Sequence, residues 1–275
     1  MKVGAKYIDI SKAYENGVRI IANKGGTRST KTWCVLIYLR KLAINTDVPL
    51  LISVVSESVP HLRKGALRDF ENILNMCNEI EGVNYQRNRT ENSFTFGLGK
   101  IEFFSADTYT KVHGAQRDIL FVNECNNLDY EIFRQLAIRT SKTIFLDWNP
   151  RSRFWFEEHL ESRADCRLIH STYKDNPFLT AVQIAEIESN QSDSNWWRVY
   201  GLGETGSVEG LVYTNWQISQ SYPTDYKREF ICIDFGFTND PTAILRVRLS
   251  GGELWVDEIA YRTGMLNEDI VKELR

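Results

Sequence analysis

The stretch Ile20-Ile21-Ala22-Asn23-Lys24-Gly25-Gly26-Thr27-Arg28-Ser29-Thr30-Lys31-Thr32 constrains this chain more than any other. A short apolar run stops at two glycines, a small polar loop follows, and Lys31-Thr32 opens a segment of apolar periodicity. Such a strand–loop–helix layout surrounds a phosphate with backbone N–H groups at a helix N-terminus. Gly25, Gly26, Thr27, Ser29 and Thr30 would form the cradle, Lys31 would reach the β/γ-phosphates, and the Thr32 hydroxyl would bind Mg²⁺. The usual pattern is G-x-x-x-x-G-K-[ST]. Here Thr30 takes the sixth position, where glycine normally lets the backbone close on phosphate. Taken alone, the stretch also fits a Gly-rich surface turn before an ordinary helix.

The rest of the chain supplies the context such a loop needs. Apolar runs of strand length alternate with helix-length segments through residue 172. Val18–Ala22 reads as a strand and Lys31–Ala43 as a helix. Leu50–Val55 is a nearly continuous apolar strand of the kind buried on both faces of a parallel sheet. The pattern predicts one helix from Val59 to about Ile80, with Ser58 as its cap, Pro60 in its first turn and Leu62, Leu67, Phe70, Ile73 and Leu74 on its apolar stripe. Phe94–Phe96 and Ile101–Phe104 read as a hairpin. Strands follow at Ile119–Val122, Thr143–Leu146 and Arg167–His170, with helices near Tyr130–Ile138 and Phe154–Leu160. This order means a P-loop type α/β domain with a mostly parallel central sheet.

After Asn176-Pro177 the character changes. Residues 180–200 look helical, 201–210 are glycine-rich, and 219–229 are polar enough for a linker. Three strand candidates then follow in a row, at Phe230–Asp234, Ala243–Leu249 and Leu254–Ala260, before a helical start. The expected division is therefore an α/β domain over 1–218, with a helical and loop subdomain about 177–218, then the linker, then a partial second domain over 230–275.

Composition narrows the class. With 43% apolar residues the chain can build a sizeable core, and a net charge of −3 argues against a basic surface along its whole length. The five cysteines (Cys34, Cys77, Cys125, Cys166, Cys232) lack disulfide or zinc spacing and read as reduced core thiols. No apolar run approaches a membrane span, so a soluble, intracellular protein without a membrane partner is expected.

A P-loop needs an acidic residue at the end of a neighbouring strand. Asp118-Ile119-Leu120-Phe121-Val122-Asn123-Glu124 supplies it, with Asn123 and Glu124 emerging at the carboxyl end, where open α/β sheets bind ligands. Glu124 is the candidate catalytic carboxylate that orients and deprotonates the attacking water. Asn123 stands where Asp usually assists Mg²⁺, and its neutral amide can hold a metal-bound water but adds no charge. Ile144-Phe145-Leu146-Asp147-Trp148-Asn149-Pro150 is a third apolar strand with a polar end, and Asn149 is a candidate γ-phosphate sensor. An arginine at the transition state is worth ~10³–10⁵ in rate. Arg28 is the candidate within the loop, and Arg139, Arg87 and Arg89 are candidates offered to a neighbouring subunit. Lys64 and Arg68, read on one helix face with Arg63 close by, make a small basic patch.

These motifs, in their order, resemble the large terminase subunit of tailed bacteriophages. The resemblance includes His113-Gly114-Ala115-Gln116-Arg117-Asp118, Leu146-Asp147-Trp148-Asn149-Pro150 and Thr172-Tyr173-Lys174-Asp175-Asn176-Pro177-Phe178-Leu179. It continues through Trp197–Glu204, Gly210-Leu211-Val212-Tyr213 and Asp234-Phe235-Gly236-Phe237-Thr238-Asn239-Asp240-Pro241-Thr242-Ala243. It implies an ATP- and Mg²⁺-dependent motor that packages viral double-stranded DNA into a procapsid. It also implies a portal protein and a small terminase subunit as partners, a homo-oligomeric ring on the portal, and work in the host cytoplasm. An RNase H-like nuclease would follow, using two divalent metals (Mg²⁺ or Mn²⁺) ~3.5–4 Å apart. Asp234 matches its first ligand, with Glu258 or less readily Asp257 as a contributor. The remaining carboxylates of that family lie further along than this chain runs, so no competent nuclease site is expected here. Two other classes fit the motifs: another P-loop DNA translocase or helicase, and a non-hydrolysing ATP-binding assembly subunit.

Overall fold

The computed structural model describes residues 3–107, 116–206, 216–237 and 240–274. The chain divides into two compact units, Met1–Glu209 and Gly210–Arg275.

The first unit is built on an eight-stranded sheet. Its strands are β1 (Ile20–Gly25), β2 (Leu50–Ser56), β3 (Gln86–Asn88), β4 (Ser93–Phe96), β5 (Gly99–Ser105), β6 (Arg117–Val122), β7 (Thr140–Trp148) and β8 (Cys166–Ser171). Their spatial order is β3-β4-β5-β2-β6-β7-β1-β8. The pairs from β5 through β2, β6, β7 and β1 to β8 are all parallel, and only β3–β4 and β4–β5 are antiparallel. The expected mostly parallel α/β sheet is thus present. Strand β2 is buried at nearly every position, as its apolar run requires.

Two helical layers cover the faces, and the alternation of side chains sorts residues between them. Ile21, Ile119, Phe121 and Phe145 pack under α1 (Ala5–Glu15), α2 (Lys31–Ile44), α3 (Val59–Lys64) and α4 (Ala66–Met76). Ile20, Ala22, Leu120, Val122, Ile144, Leu146 and Trp148 face the other way, towards α5 (Tyr130–Ile138) and α6 (Trp155–His159).

The structure departs from the sequence reading at three points here. Helix α1 has no counterpart in that reading, because only Ile10 and Ala13 of it are fully buried. Its Tyr7 and Tyr14 instead pack edge-on against Tyr38 of α2, at centroid distances of 5.6 and 5.5 Å. The single helix expected over 59–80 is two, broken at Gly65 (φ −107°, ψ −112°). A Cβ at Gly65 would lie 2.8 Å from the His61 carbonyl oxygen, so this break requires glycine. Lys64 and Arg68 therefore belong to different helices. The helix also stops early, at Met76, where Asn78 turns left-handed (φ 53°).

Beyond β8, α7 (Ala181–Glu188) and α8 (Ser194–Trp196) lead into a π-turn at Trp197–Gly201. The second unit is a three-stranded antiparallel sheet, β9 (Arg228–Asp234), β10 (Thr242–Ser250) and β11 (Glu253–Arg262), ordered β11-β10-β9, with α9 (Asn267–Glu273). Its core is small: Ile244, Ala260, Met265 and Ile270, with Ile233 and Ile259 against them. Residues 222–227, read as linker, are held on β10. Arg248 lies over the rings of Tyr222 and Tyr226, and Lys227 N–H donates to the Leu249 carbonyl at 2.8 Å. Cys34 and Cys125 are core thiols, whereas Cys232 is exposed. Among the described residues no helix is long and apolar enough to cross a membrane.

Candidate active site

Parallel pairing brings the carboxyl ends of β6, β7 and β1 together. Asn23 pairs with Asp147 and Lys24 with Trp148 across β1–β7, while Val122 pairs with Leu146 across β6–β7. Asn123 therefore arrives level with Asp147, and the Gly25–Thr30 loop leaves β1 beside them to enter α2.

The N-terminus of α2 has no side-chain cap, so its first-turn N–H groups face the loop's concavity without a side-chain acceptor. Lys31 lies buried beneath it and donates from Nζ to the Gly26 carbonyl and to Asn149 Oδ1, both at 3.2 Å. Asn149 in turn donates to the Gly25 carbonyl at 3.0 Å. The Thr32 hydroxyl donates to Asp147 Oδ2. Asp147 also accepts from Asn123 Nδ2 (3.0 Å to Oδ1, 3.4 Å to Oδ2) and from Glu124 N–H at 2.8 Å. Burial pushes the Asp147 carboxyl above its ordinary range, while Lys31 and the donated hydrogen bonds pull it back. Burial likewise lowers the Lys31 ammonium, opposed by Asp147 and Glu124.

Thr30 occupies its position at a cost. Its φ of 66° is left-handed, a conformation that penalises a β-branched residue by ~1–2 kcal/mol. Arg28 (φ 53°) is strained in the same sense. Thr30→Gly is therefore expected to raise stability by about 1 kcal/mol, part of the relief being offset by the freer unfolded chain. A urea midpoint that fell instead would show that the Thr30 side chain compensates its own strain.

The loop is held from outside by Ser171, Asn176 and Tyr200, the last two within segments that carry the family resemblance. Gly26 N–H donates to the Ser171 carbonyl at 3.0 Å and Thr27 N–H to the Tyr200 carbonyl at 2.8 Å. Ser29 and Ser171 hydroxyls bond at 3.0 Å, and Asn176 Nδ2 donates to the Arg28 carbonyl at 2.8 Å. A Cβ on Gly26 would lie 2.4 Å from the Tyr200 carbonyl oxygen, so the second glycine of the loop serves this close approach.

Glu124 stands at the mouth of the site, exposed, in a left-handed conformation (φ 52°). It lines a cavity of about 200 Å³ with Ser56, His61, Lys64, Gly65 and Asn123. Arg28 projects from the loop crest, exposed. The other three arginines are engaged within the chain: Arg87 with Glu71, Arg89 with both oxygens of Glu81 at 2.7 and 2.9 Å, and Arg139 with Gln135 at 2.9 Å.

In the sequence, Asp147 stands out only as part of a strand end. A signal for it is present, since Phe145 and Asp147 share a face by alternation, and that face is the α2 side. In the second unit, Asp234 is exposed at the end of β9. The pairs Cys232–Leu245 and Leu245–Glu258 place Glu258 on the face that carries Asp234, and Asp257 on the other. Among the described residues no cluster of three His, Cys, Asp or Glu could hold a metal. His113-Gly114-Ala115, Gly210-Leu211-Val212-Tyr213 and Thr238-Asn239 lie outside the described residues.

The fold has counterparts among known proteins. The family model for the phage terminase large subunit matches residues 18–204. The large terminase of a thermophilic bacteriophage is similar with a TM-score of 0.65 at 17% identity, over 100% of this chain and 73% of that one. The HK97 bacteriophage large terminase gives 0.60 at 13% identity, over 94% and 63%. The large terminase ATPase domain of Thermus phage P74-26 gives 0.52 at 13% identity, over 74% of this chain and 94% of that one. At such identities the likeness is one of fold. No curated protein matches the chain in sequence. The family match spans more than half of the chain and the fold accords with it: this protein belongs to the phage terminase large subunit family, and its eight-stranded unit has the fold of a large terminase ATPase domain.

Proposed function

We propose that this chain hydrolyses ATP to drive viral double-stranded DNA into a procapsid. The observation that carries the reading is the convergence of Lys31, Thr32, Asn123, Glu124 and Asn149 on an uncapped helix N-terminus. The similar large terminase of the thermophilic bacteriophage has been solved with ADP and with ATP-γ-S, which supports a nucleotide in this position.

In this reading the loop beyond Thr27 and the first turn of α2 cradle the phosphates, the Gly26 and Thr27 N–H groups anchor the loop from outside, and Lys31 neutralises the β/γ oxygens. Thr32, with the Asp147 carboxylate behind it and Asn123 hydrogen-bonded to that carboxylate, would present the hard oxygen donors that suit Mg²⁺, and a bound ion would neutralise charge developing on the phosphates. Glu124 takes the proton of the attacking water. Arg28 offers positive charge from the loop crest. Asn149 bonds both Lys31 and Gly25, so a γ-phosphate that draws Lys31 away alters its hold on β1. That makes it the sensor. The second unit is RNase H-like, with Asp234 as a metal ligand and Glu258, on the same face of the sheet, as its helper. The portal protein and the small terminase subunit are the partners, a ring on the portal is the working assembly, and the host cytoplasm is the site of action.

Lys31→Ala is the direct test of the nucleotide site. A charge-assisted contact is worth about 1.5–3 kcal/mol, so ATP affinity is expected to fall ~10–100-fold. Unchanged affinity would remove Lys31 from the phosphates. Unwinding of a DNA duplex by the isolated chain would favour a helicase instead.

A further inference from the structure

We infer that Asp147, not a residue of β6, supplies the anionic oxygen of the Mg²⁺ site, and that Asn123 positions that carboxylate. The inference rests on the nucleotide reading above. It starts from a charge that is missing where it is expected: β6 ends in the neutral Asn123, and the Glu124 side chain points to the exposed mouth.

The neighbouring strand carries the charge instead. Asp147 is 0% exposed, and burying a carboxylate costs several kcal/mol unless its surroundings offset it. Three donors converge on it, from the Thr32 hydroxyl, Asn123 Nδ2 and Glu124 N–H. All three come from the nucleotide-facing ends of α2 and β6. An acidic side chain touching the P-loop hydroxyl is what a Mg²⁺ ion beside nucleotide phosphates requires. Mg²⁺ keeps several of its waters, so a carboxylate just behind Thr32 can hold it through one of them.

Asn123 is unsuited to that part. Its amide is used at both ends, donating from Nδ2 to Asp147 while Oδ1 accepts from the Ser56 hydroxyl at 3.3 Å. It fixes the rotamer of Asp147, as an outer-shell donor fixes a ligand. The β6–β7 register places positions 123 and 147 side by side, so a carboxylate at either one serves nearly the same point in space.

The test compares ATP affinity in Mg²⁺ and in EDTA, using the purified chain and a fluorescent ATP analogue. Wild type is expected to bind more tightly with Mg²⁺. Asp147→Asn, nearly isosteric, is expected to lose ~10–100-fold of that gain without losing affinity in EDTA. The exchange variant Asn123→Asp/Asp147→Asn is expected to recover the gain, which a merely structural role for Asp147 would not produce. A full Mg²⁺ gain in Asp147→Asn overturns the inference. So does equal wild-type binding in the two buffers, although the nucleotide reading then stands. No binding in either buffer overturns both. A measurement on wild type needs no variant to fold. With Mn²⁺ and ATP-γ-S bound and aspartate carboxyls labelled with ¹³C, electron–nuclear double resonance is expected to show a ¹³C coupling. Its absence overturns the inference.

Discussion

Glu124→Gln is expected to lower ATP turnover by ~10²–10⁴-fold, the usual contribution of a positioned general base. ATP binding should persist, because no contact of the Glu124 side chain supports the phosphate cradle. Its backbone N–H bonds Asp147 and its carboxylate accepts from Asn127 Nδ2 at 3.2 Å, interactions a glutamine can keep. The backbone is the informative part. A non-glycine residue at φ 52° is uncommon, and here it directs the side chain into the cavity at the mouth of the site while its N–H holds Asp147. Steady-state hydrolysis and nucleotide affinity, measured on the same samples with and without double-stranded DNA, give the answer. Turnover that survives the substitution would assign the base elsewhere. Absence of turnover in the wild type, with ATP still bound, would point to a motor active only on the portal or to an assembly subunit.

The largest expected loss of stability is at Trp148. It is 0% exposed and packs against Phe156 at 4.6 Å and Phe154 at 5.5 Å, on the face opposite the site. Truncation to alanine should cost about 3–5 kcal/mol, a large part of the roughly 5–15 kcal/mol that a domain has. A drop of ~10 °C in Tm is expected for a unit of this size. Trp148→Phe should cost much less, since the indole N–H has no hydrogen-bond partner among the described residues. Trp148 sits between Asp147 and Asn149, so its removal should also weaken ATP binding. Equal melting temperatures for Trp148→Ala and wild type would contradict the packing described.

Much of the site is legible from residue order. The loop from Gly25 to Thr32, the strand end at Asn123-Glu124 and the strand end at Asn149 can all be identified without geometry, because each is a local break in an apolar run. Helix α1 and the division at Gly65 cannot. The first is held by tyrosine contacts with a distant helix rather than by an apolar stripe of its own. The second depends on the unusual torsions of one glycine, and the sequence on both sides continues a helical pattern.

The linear chain carries local information: where apolar runs stop, which residues alternate across a strand, and which loop can wrap a phosphate. Those follow from backbone periodicity and from the steric character of glycine, and they are enough to reach an α/β ATPase fold and its P-loop. Strand order is not local. That β7 lies between β1 and β6 is settled by packing, and it makes Asp147 the neighbour of both Thr32 and Asn123. The same packing closes the loop from outside with Ser171, Asn176 and Tyr200, residues far from it in the chain. A buried carboxylate acquires its meaning only from the donors gathered around it, and those donors come from elements that the sheet alone assembles.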